Sequence, residues 1–371
     1  MIRKPNFTTA RFPRRGALVG LSVLATLAAA CGPGEDGDSK SPPHDVVINL
    51  GGEVSVLKDL NARPRVVGPR PVGAENADAY RLTTPRQLSS GEIVGIRDGG
   101  VVAIEPREPD RAVLLGPAGA WFPSSDGKRL WAVTEEPAHT ACTGQELPQS
   151  VSTRFTVSEY ETSGRPSRIT LPLPCGLRPI AETPRGLLAE RTTGDSGGAG
   201  TGVRAVTDIV LLNARADATT ETIAKDASVV AASGKVVVWR GDACRKGSCT
   251  HVYDVEKRKS TRTPSCEGND PVGVGSLDPS GRWYAGDLRT SGLAILDLDQ
   301  GTCRVLENVS APDAGDLEQT FAAAWSGPSL MLLDQRSGTL TVVNAADGKL
   351  EERAEPLPVV NQAQIWGTAT N

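Results

Sequence analysis

The sequence predicts an all-β chain folded as a seven-bladed β-propeller, and three observations carry that prediction. The composition is turn-rich and poor in large side chains, with 40 Gly, 27 Pro and only 4% aromatic residues in 371. Short apolar runs between such turns argue for many short strands and against helices. A strand–turn–strand pattern then recurs along the chain at a period suited to four short strands. Finally, the first copy of that pattern lacks its innermost strand, and the last segment of the chain resembles the missing piece.

The clearest copy lies at 278–306. It opens on Asp278-Pro279-Ser280-Gly281 and continues as strand 282–287, the turn Thr290-Ser291-Gly292, strand 293–298, the turn Asp299-Gln300-Gly301 and a strand from Thr302. The copies align on the residue that closes each third strand. These residues are Asp59, Glu105, Glu161, Asn213, Asp254, Asp297 and Asn344, spaced 41 to 56 residues apart. Asp, Glu and Asn suit the position because their side chains can bond the backbone of the turn that follows.

Second strands precede these marks at hairpin distance, over 46–50, 92–97, 129–134, 186–191, 236–240, 283–287 and 330–334. The glycines of Gly51-Gly52, Asp98-Gly99-Gly100 and Arg336-Ser337-Gly338 permit the positive φ that tight hairpin turns require. First, innermost strands come before Ser89-Ser90-Gly91, Ser124-Ser125-Asp126-Gly127, Ala232-Ser233-Gly234 and Asp278-Pro279-Ser280-Gly281. Six blades are the alternative, if the unit at 154–173 or at 206–224 is an insertion.

The turns Ser125-Asp126-Gly127-Lys128-Arg129-Leu130 and Asp278-Pro279-Ser280-Gly281-Arg282-Trp283 resemble the repeats of TolB-type, WD-like propellers. That resemblance implies the fold and transfers no functional residues. Before Val46 there is no candidate inner strand, whereas Gln362-Ala363-Gln364-Ile365-Trp366-Gly367 is similar to the inner strand Phe321-Ala322-Ala323-Ala324-Trp325-Ser326. The C-terminal strand is therefore expected to complete the first blade. Such closure removes exposed strand edges.

Residues 1–30 read as an export signal: a basic region with Arg3, Lys4, Arg11, Arg14 and Arg15, then an apolar run from Gly16 to Ala30 that is too short for a lasting membrane span. The run ends in Leu27-Ala28-Ala29-Ala30-Cys31, which resembles a bacterial lipobox. The resemblance implies cleavage before Cys31, acylation of its sulfur and a lipid-anchored protein at the cell membrane on the extracytoplasmic face. Arg14-Arg15 loosely resembles a twin-arginine signal. Residues 31–45, dominated by Gly, Pro, Asp and Ser, form an expected disordered tether, leaving 46–371 as the propeller. A net charge of −4 with interspersed signs gives no nucleic-acid footprint.

Beyond Cys31 there are six cysteines, Cys142, Cys175, Cys244, Cys249, Cys266 and Cys303. An even count in an exported chain suggests three disulfides. Cys142–Cys175 share a rim, and Cys244–Cys249 bracket one hairpin loop. Cys266–Cys303 follows by exclusion and is awkward, because Cys303 opens a strand at the opposite rim; Cys249–Cys266 is the alternative. No Cys-x-x-Cys pair or His cluster favours a metal, and without Cys-x-x-Cys-His no covalent haem is expected. No cofactor is predicted.

Gly194-Asp195-Ser196-Gly197-Gly198 matches the nucleophile motif of chymotrypsin-like proteases, but a serine nucleophile needs an oriented base. His44 lies in the tether, His251 on a third strand, and His139 too few residues upstream for that fold, so the motif reads as a hairpin loop. Asp297 and Asp299 read as turn chemistry rather than a calcium loop. Asp226, Asp270, Asp316 and Asn361 each precede an inner strand and form a weak candidate set of axial metal ligands. Trp121, Trp325 and Trp366, on inner strands, and Trp131, Trp239 and Trp283, on second strands, read as packing between blades. The long connections 135–152, 192–205 and 241–249 fall on one rim, where recognition by loops on a rigid scaffold is expected. The sequence thus points to a membrane-anchored binding or scaffold module with a protein, glycan or small-ligand partner. The alternatives are a metal-dependent hydrolase or lyase, and a structural lipoprotein without a dedicated ligand.

Overall fold

The computed structural model describes residues 46–50, 53–66, 82–88, 90–105, 112–136, 153–195, 204–213, 220–241, 250–266, 271–288, 292–306, 309, 321–335, 337–358 and 364–366. Cys31, Cys142, Cys244, Cys249, Asp270, Asp316 and Asn361 lie outside them, as do the expected signal and tether.

The described residues form seven four-stranded antiparallel sheets and no helix. Blade 1 begins with β1 (Val46–Leu50), β2 (Glu53–Leu57) and β3 (Arg65–Val66). Blade 2 runs through β4 (Thr83–Gln87), β5 (Ile93–Arg97), β6 (Gly100–Ile104) and β7 (Ala112–Pro117). Blade 3 comprises β8 (Ala120–Pro123), β9 (Arg129–Glu136), β10 (Arg154–Glu161) and β11 (Pro166–Pro172). Blade 4 comprises β12 (Leu177–Thr183), β13 (Gly186–Asp195), β14 (Arg204–Leu212) and β15 (Thr220–Ala224). Blade 5 follows with β16 (Ala227–Ala232), β17 (Val236–Gly241), β18 (Thr250–Asp254) and β19 (Lys259–Arg262). Blade 6 holds β20 (Pro271–Leu277), β21 (Trp283–Leu288), β22 (Gly292–Asp297) and β23 (Thr302–Val305). Blade 7 holds β24 (Phe321–Ser326), β25 (Ser329–Asp334), β26 (Leu340–Asn344) and β27 (Leu350–Glu352). The last strand, β28 (Gln364–Trp366), joins blade 1, pairing antiparallel with β1 at Val47↔Trp366, Ile48↔Ile365 and Asn49↔Gln364. The seven-blade count and the closing strand are as the sequence predicted; the six-blade alternative falls, since 154–173 and 206–224 both supply strands to complete sheets.

The middle strands are the most deeply buried, because each presses a side chain alternately against the blade before and the blade after. Val101, Leu188, Ile209, Val237, Ala294, Met331 and Val343 have no appreciable exposure. Seven apolar clusters follow, one at each joint. Blades 2 and 3 share Val94, Val101, Leu130 and Ala132; blades 4 and 5 share Leu188, Ile209, Val237 and Tyr253. The joint that matters most for closure brings Met331, Leu333 and Leu340 of blade 7 against Val46, Ile48, Leu57 and Ile365 of blade 1. Arg353, only 7% exposed, clamps the same joint. Its guanidinium donates to the carbonyls of Leu60, Ala62 and Glu355, while Ala354 N–H donates to Asn61 Oδ1 at 2.9 Å.

Hairpin chemistry sets the register. Arg97↔Gly100 is bridged by Asp98 (φ 50°) and Gly99 (φ 71°), the pair of left-handed residues a type I′ turn needs.

Candidate functional site

The connections divide the ring into two unlike rims. First-to-second and third-to-fourth strands join on one side, by short turns whose charges bond one another. On blade 3, Arg129 at the start of β9 pairs with Glu159 and with Asp126 (3.3 Å). On blade 6, Arg282 reaches Asp297 Oδ2 through Nε (3.1 Å) and Nη2 (2.7 Å). Asp297 is 2% exposed and also accepts the N–H groups of Asp299 and Gln300, so it closes the turn. Burial alone would raise its carboxyl pKa, but the Arg282 and backbone hydrogen bonds outweigh that and hold it below the ordinary value. On blade 4, Arg185 pairs with Glu221 and donates to Tyr253 Oη at 3.0 Å. With Leu211, Asn213, Thr220 and Arg258 these two line a shallow cleft of about 360 Å³ between blades 4 and 5.

The opposite rim carries the second-to-third connections and those between blades. The described strands that flank 67–81, 137–152, 196–203, 242–249 and 310–320 end on this rim; those five ranges themselves lie outside the described residues. The strands β13 and β14 stay paired as far as Asp195↔Arg204, so Gly194 and Asp195 close the described part of a long hairpin, and Ser196, Gly197 and Gly198 of the motif lie outside the described residues. His251 is stacked on Trp239, ring centroids 4.2 Å apart. Asp226, the described member of the axial acidic set, is exposed and left-handed (φ 47°). Its N–H donates to Asp208 Oδ1 (3.3 Å), and Asp208 pairs with Arg191 at 2.9 Å. It therefore serves as the tight link from β15 to β16. Described tryptophan side chains pack between blades: Trp121 at joint 2–3, Trp131 at joint 3–4, Trp239 at joint 4–5, and Trp283 and Trp325 at joint 6–7, Trp325 Nε1 donating to Ser276 O at 3.0 Å.

Cys266 and Cys303 form a disulfide with Cα atoms 5.4 Å apart, which removes the Cys249–Cys266 alternative. The expected rim mismatch does not arise. Beyond β19 the chain turns back along the joint, burying Cys266 against Tyr284, Ala294 and Leu296 of blade 6, where Cys303 lies opposite Leu296 on β23. Cys175 is disulfide-bonded as well.

Between the rims runs the channel lined by the inner strands. Cross-strand register defines one level of it: Arg86↔Val94, Phe122↔Trp131, Ala181↔Leu188, Ala231↔Val238, Ser276↔Ala285 and Ala324↔Met331. Phe122 and Ala324 turn into the joints and are buried, whereas Ala181, Ala231 and Ser276 are half-buried. Four of these inner strands break register at this level, where pairing resumes at Arg86, Ala181, Ala231 and Ser276. Bulges of this kind bend a strand and re-aim its side chains. Arg86 is solvent-exposed, and partial desolvation by the protein around it lowers its pKa. It has no hydrogen-bond or ion-pair partner among the described residues. Glu182, one level nearer the turn rim, is held by Ser125 N–H at 2.8 Å.

No family model matches the chain, and no curated protein matches it in sequence. Solved structures do resemble it. Acylaminoacyl peptidase from Pyrococcus horikoshii superposes with a TM-score of 0.54 at 12% identity, over 84% of this chain and 50% of that one. This chain thus spans about half the length of that enzyme. AztD from Citrobacter koseri gives 0.47 at 12% identity over 87% and 96%, and a manganese-bound oligogalacturonate lyase 0.47 at 11% over 81% of each chain. At such identities what is common is the fold, which hosts many unrelated functions.

Proposed function

We propose that the chain is an exported lipoprotein, anchored through Cys31 to the extracytoplasmic face of the membrane, whose propeller is a binding and scaffold module for an envelope protein or glycan. The observation that supports this most is the division of the rims: one is built of short turns whose charges satisfy each other, the other gathers the long connections. Loops on a rigid frame are where recognition concentrates. The point of entry fits this reading. The chain enters the ring at Val46, beside Trp366, on the short-turn rim. The turn sequences that resemble TolB-type repeats agree with an extracytoplasmic setting.

Two measurements test it. Cys31→Ser should abolish incorporation of labelled palmitate and release the protein from membranes. Photo-cross-linking residues placed at 140 and 199, on the long loops, should capture a discrete partner in intact cells, whereas one at Lys128 on the short-turn rim should not. Equal adducts from both rims, or none from either, would refute the assignment.

A further inference from the structure

The turn between β18 and β19 breaks a rule that the next two blades keep. In blades 6 and 7 the fourth residue past the strand-closing Asp297 or Asn344 is a glycine, Gly301 (φ 69°) or Gly348 (φ 74°). Blade 5, counted the same way from Asp254, places Arg258 there at φ 54°. Left-handed backbone costs a residue with a Cβ free energy that glycine escapes, so the fold by itself favours glycine at this position. No contact within the protein offsets that cost. Arg129, Arg185 and Arg282 on the same rim each pair with a carboxylate, whereas Arg258 has no hydrogen-bond or ion-pair partner among the described residues.

A second observation is independent of the turn. Arg258 lines the cleft of about 360 Å³ between blades 4 and 5, a volume within the range of about 300–1,000 Å³ typical of small-molecule sites. The corresponding space at joint 6–7 is filled by protein. There Arg304 of β23 donates to Ala346 O at 3.1 Å, and a Cβ at Gly348 would stand 2.5 Å from Arg304 Nη1. At joint 4–5 the outer strand β15 supplies no such filler, because Glu221 turns to Arg185 instead. Arg185 is fixed further by Tyr253 Oη at 3.0 Å and Val255 O at 3.4 Å, which makes that wall rigid. The lining sets two guanidinium groups against one carboxylate and adds the polar side chains of Asn213 and Thr220. An open space and a surplus positive charge therefore meet at one place, around a residue the turn does not need.

We propose that this cleft is a ligand site for a small hydroxylated molecule bearing a phosphate or carboxylate group, with Arg258 holding the oxyanion and Asn213 and Thr220 meeting the hydroxyl groups. A planar guanidinium suits two-point contact with either oxyanion. The site lies on the short-turn rim and does not depend on the partner assigned to the long loops.

The test titrates the purified protein calorimetrically with glucose 6-phosphate and with glucuronate, using glucose at matched ionic strength as the neutral control. Saturable binding of at least one acid is expected, and none of glucose; the tighter arm identifies the oxyanion. Arg258→Gly should weaken that binding about tenfold to a hundredfold, the worth of a charge-assisted hydrogen bond. Thr220→Phe, which keeps the charge and fills the cleft, should weaken it as well. Without ligand, Arg258→Gly should melt at or above the wild-type temperature, since it supplies the residue the turn favours. A lower midpoint for Arg258→Gly would make Arg258 a structural residue and overturn the proposal. So would glucose binding as well as the acids, undiminished affinity in either variant, or no saturable binding of either acid.

Discussion

Closure of the ring by a three-residue strand leads to a sharp prediction for Ile365→Ala. Ile365 is 3% exposed and packs with Val46, Ile48 and Leu57 of its own blade and Met331 and Leu333 of the blade before. Truncating a buried Ile to Ala costs about 2–5 kcal/mol, through lost transfer energy and the cavity left behind. Domain stabilities lie at about 5–15 kcal/mol, so at the middle of both ranges one side chain near the C-terminus should remove about a third of the total. The reasoning requires the wheel to unfold as one unit. Urea denaturation followed by tryptophan fluorescence reads this directly, because buried Trp131 lies at joint 3–4 and buried Trp283 and Trp325 at joint 6–7. The midpoint should fall with little change in slope, and the probes should move together. Deleting 361–371 should shift it further still. Leu114→Ala, at a side chain 67% exposed, is the control and should change stability by no more than about 0.5 kcal/mol. An Ile365→Ala transition superimposable on wild type, with the deletion adding only protease sensitivity at the end, would refute the closure argument.

Arg353→Met should destabilise by about 2–4 kcal/mol in the same assay, since it strips the carbonyls of Leu60, Ala62 and Glu355 of a charged donor inside the last joint. Asp297→Asn should lower stability at pH 7 by about 1.5 kcal/mol, the low end for a charged hydrogen bond because Arg282 is partly exposed. The Asp297 carboxyl is depressed in the folded protein, so its contribution is complete above the unfolded value near about pH 4 and is lost as pH falls through the folded value. Denaturation measured between pH 7 and pH 2 should show the flatter acid limb in the variant; identical limbs would refute the linkage. Replacing both Cys266 and Cys303 with Ser opens a loop of 37 residues and should cost about 2–4 kcal/mol, with a 266–303 linked peptide present in the non-reduced map of the parent protein.

Middle strands were legible in the sequence because they are squeezed between two blades, and burial on both faces leaves runs such as Ile93–Arg97, Leu293–Asp297 and Leu330–Asp334. The closing strand was legible because Ile365-Trp366 repeats the pattern of Ala324-Trp325. What escaped depends on partners distant along the chain. Arg353 donates to carbonyls, and a carbonyl leaves no trace in the residue type, so nothing near position 353 marks the clamp. Cys266–Cys303 seemed mismatched only while the chain after β19 was assumed to stay at its rim; burial of Cys266 on the face of blade 6 removes the mismatch. Of the acidic set proposed for a metal, Asp226 is the described member, and its backbone N–H, not its carboxylate, makes the link to Asp208.

The pairing of Val47 with Trp366 has one more consequence. The first and last described strands lie side by side in one blade, so a short peptide joining the propeller's two ends there would make the covalent chain as circular as the fold. Any other short turn, such as Asp98-Gly99, could then be opened to supply new ends. A circular permutant cut there would keep the same seven joints while moving its seam to a different blade.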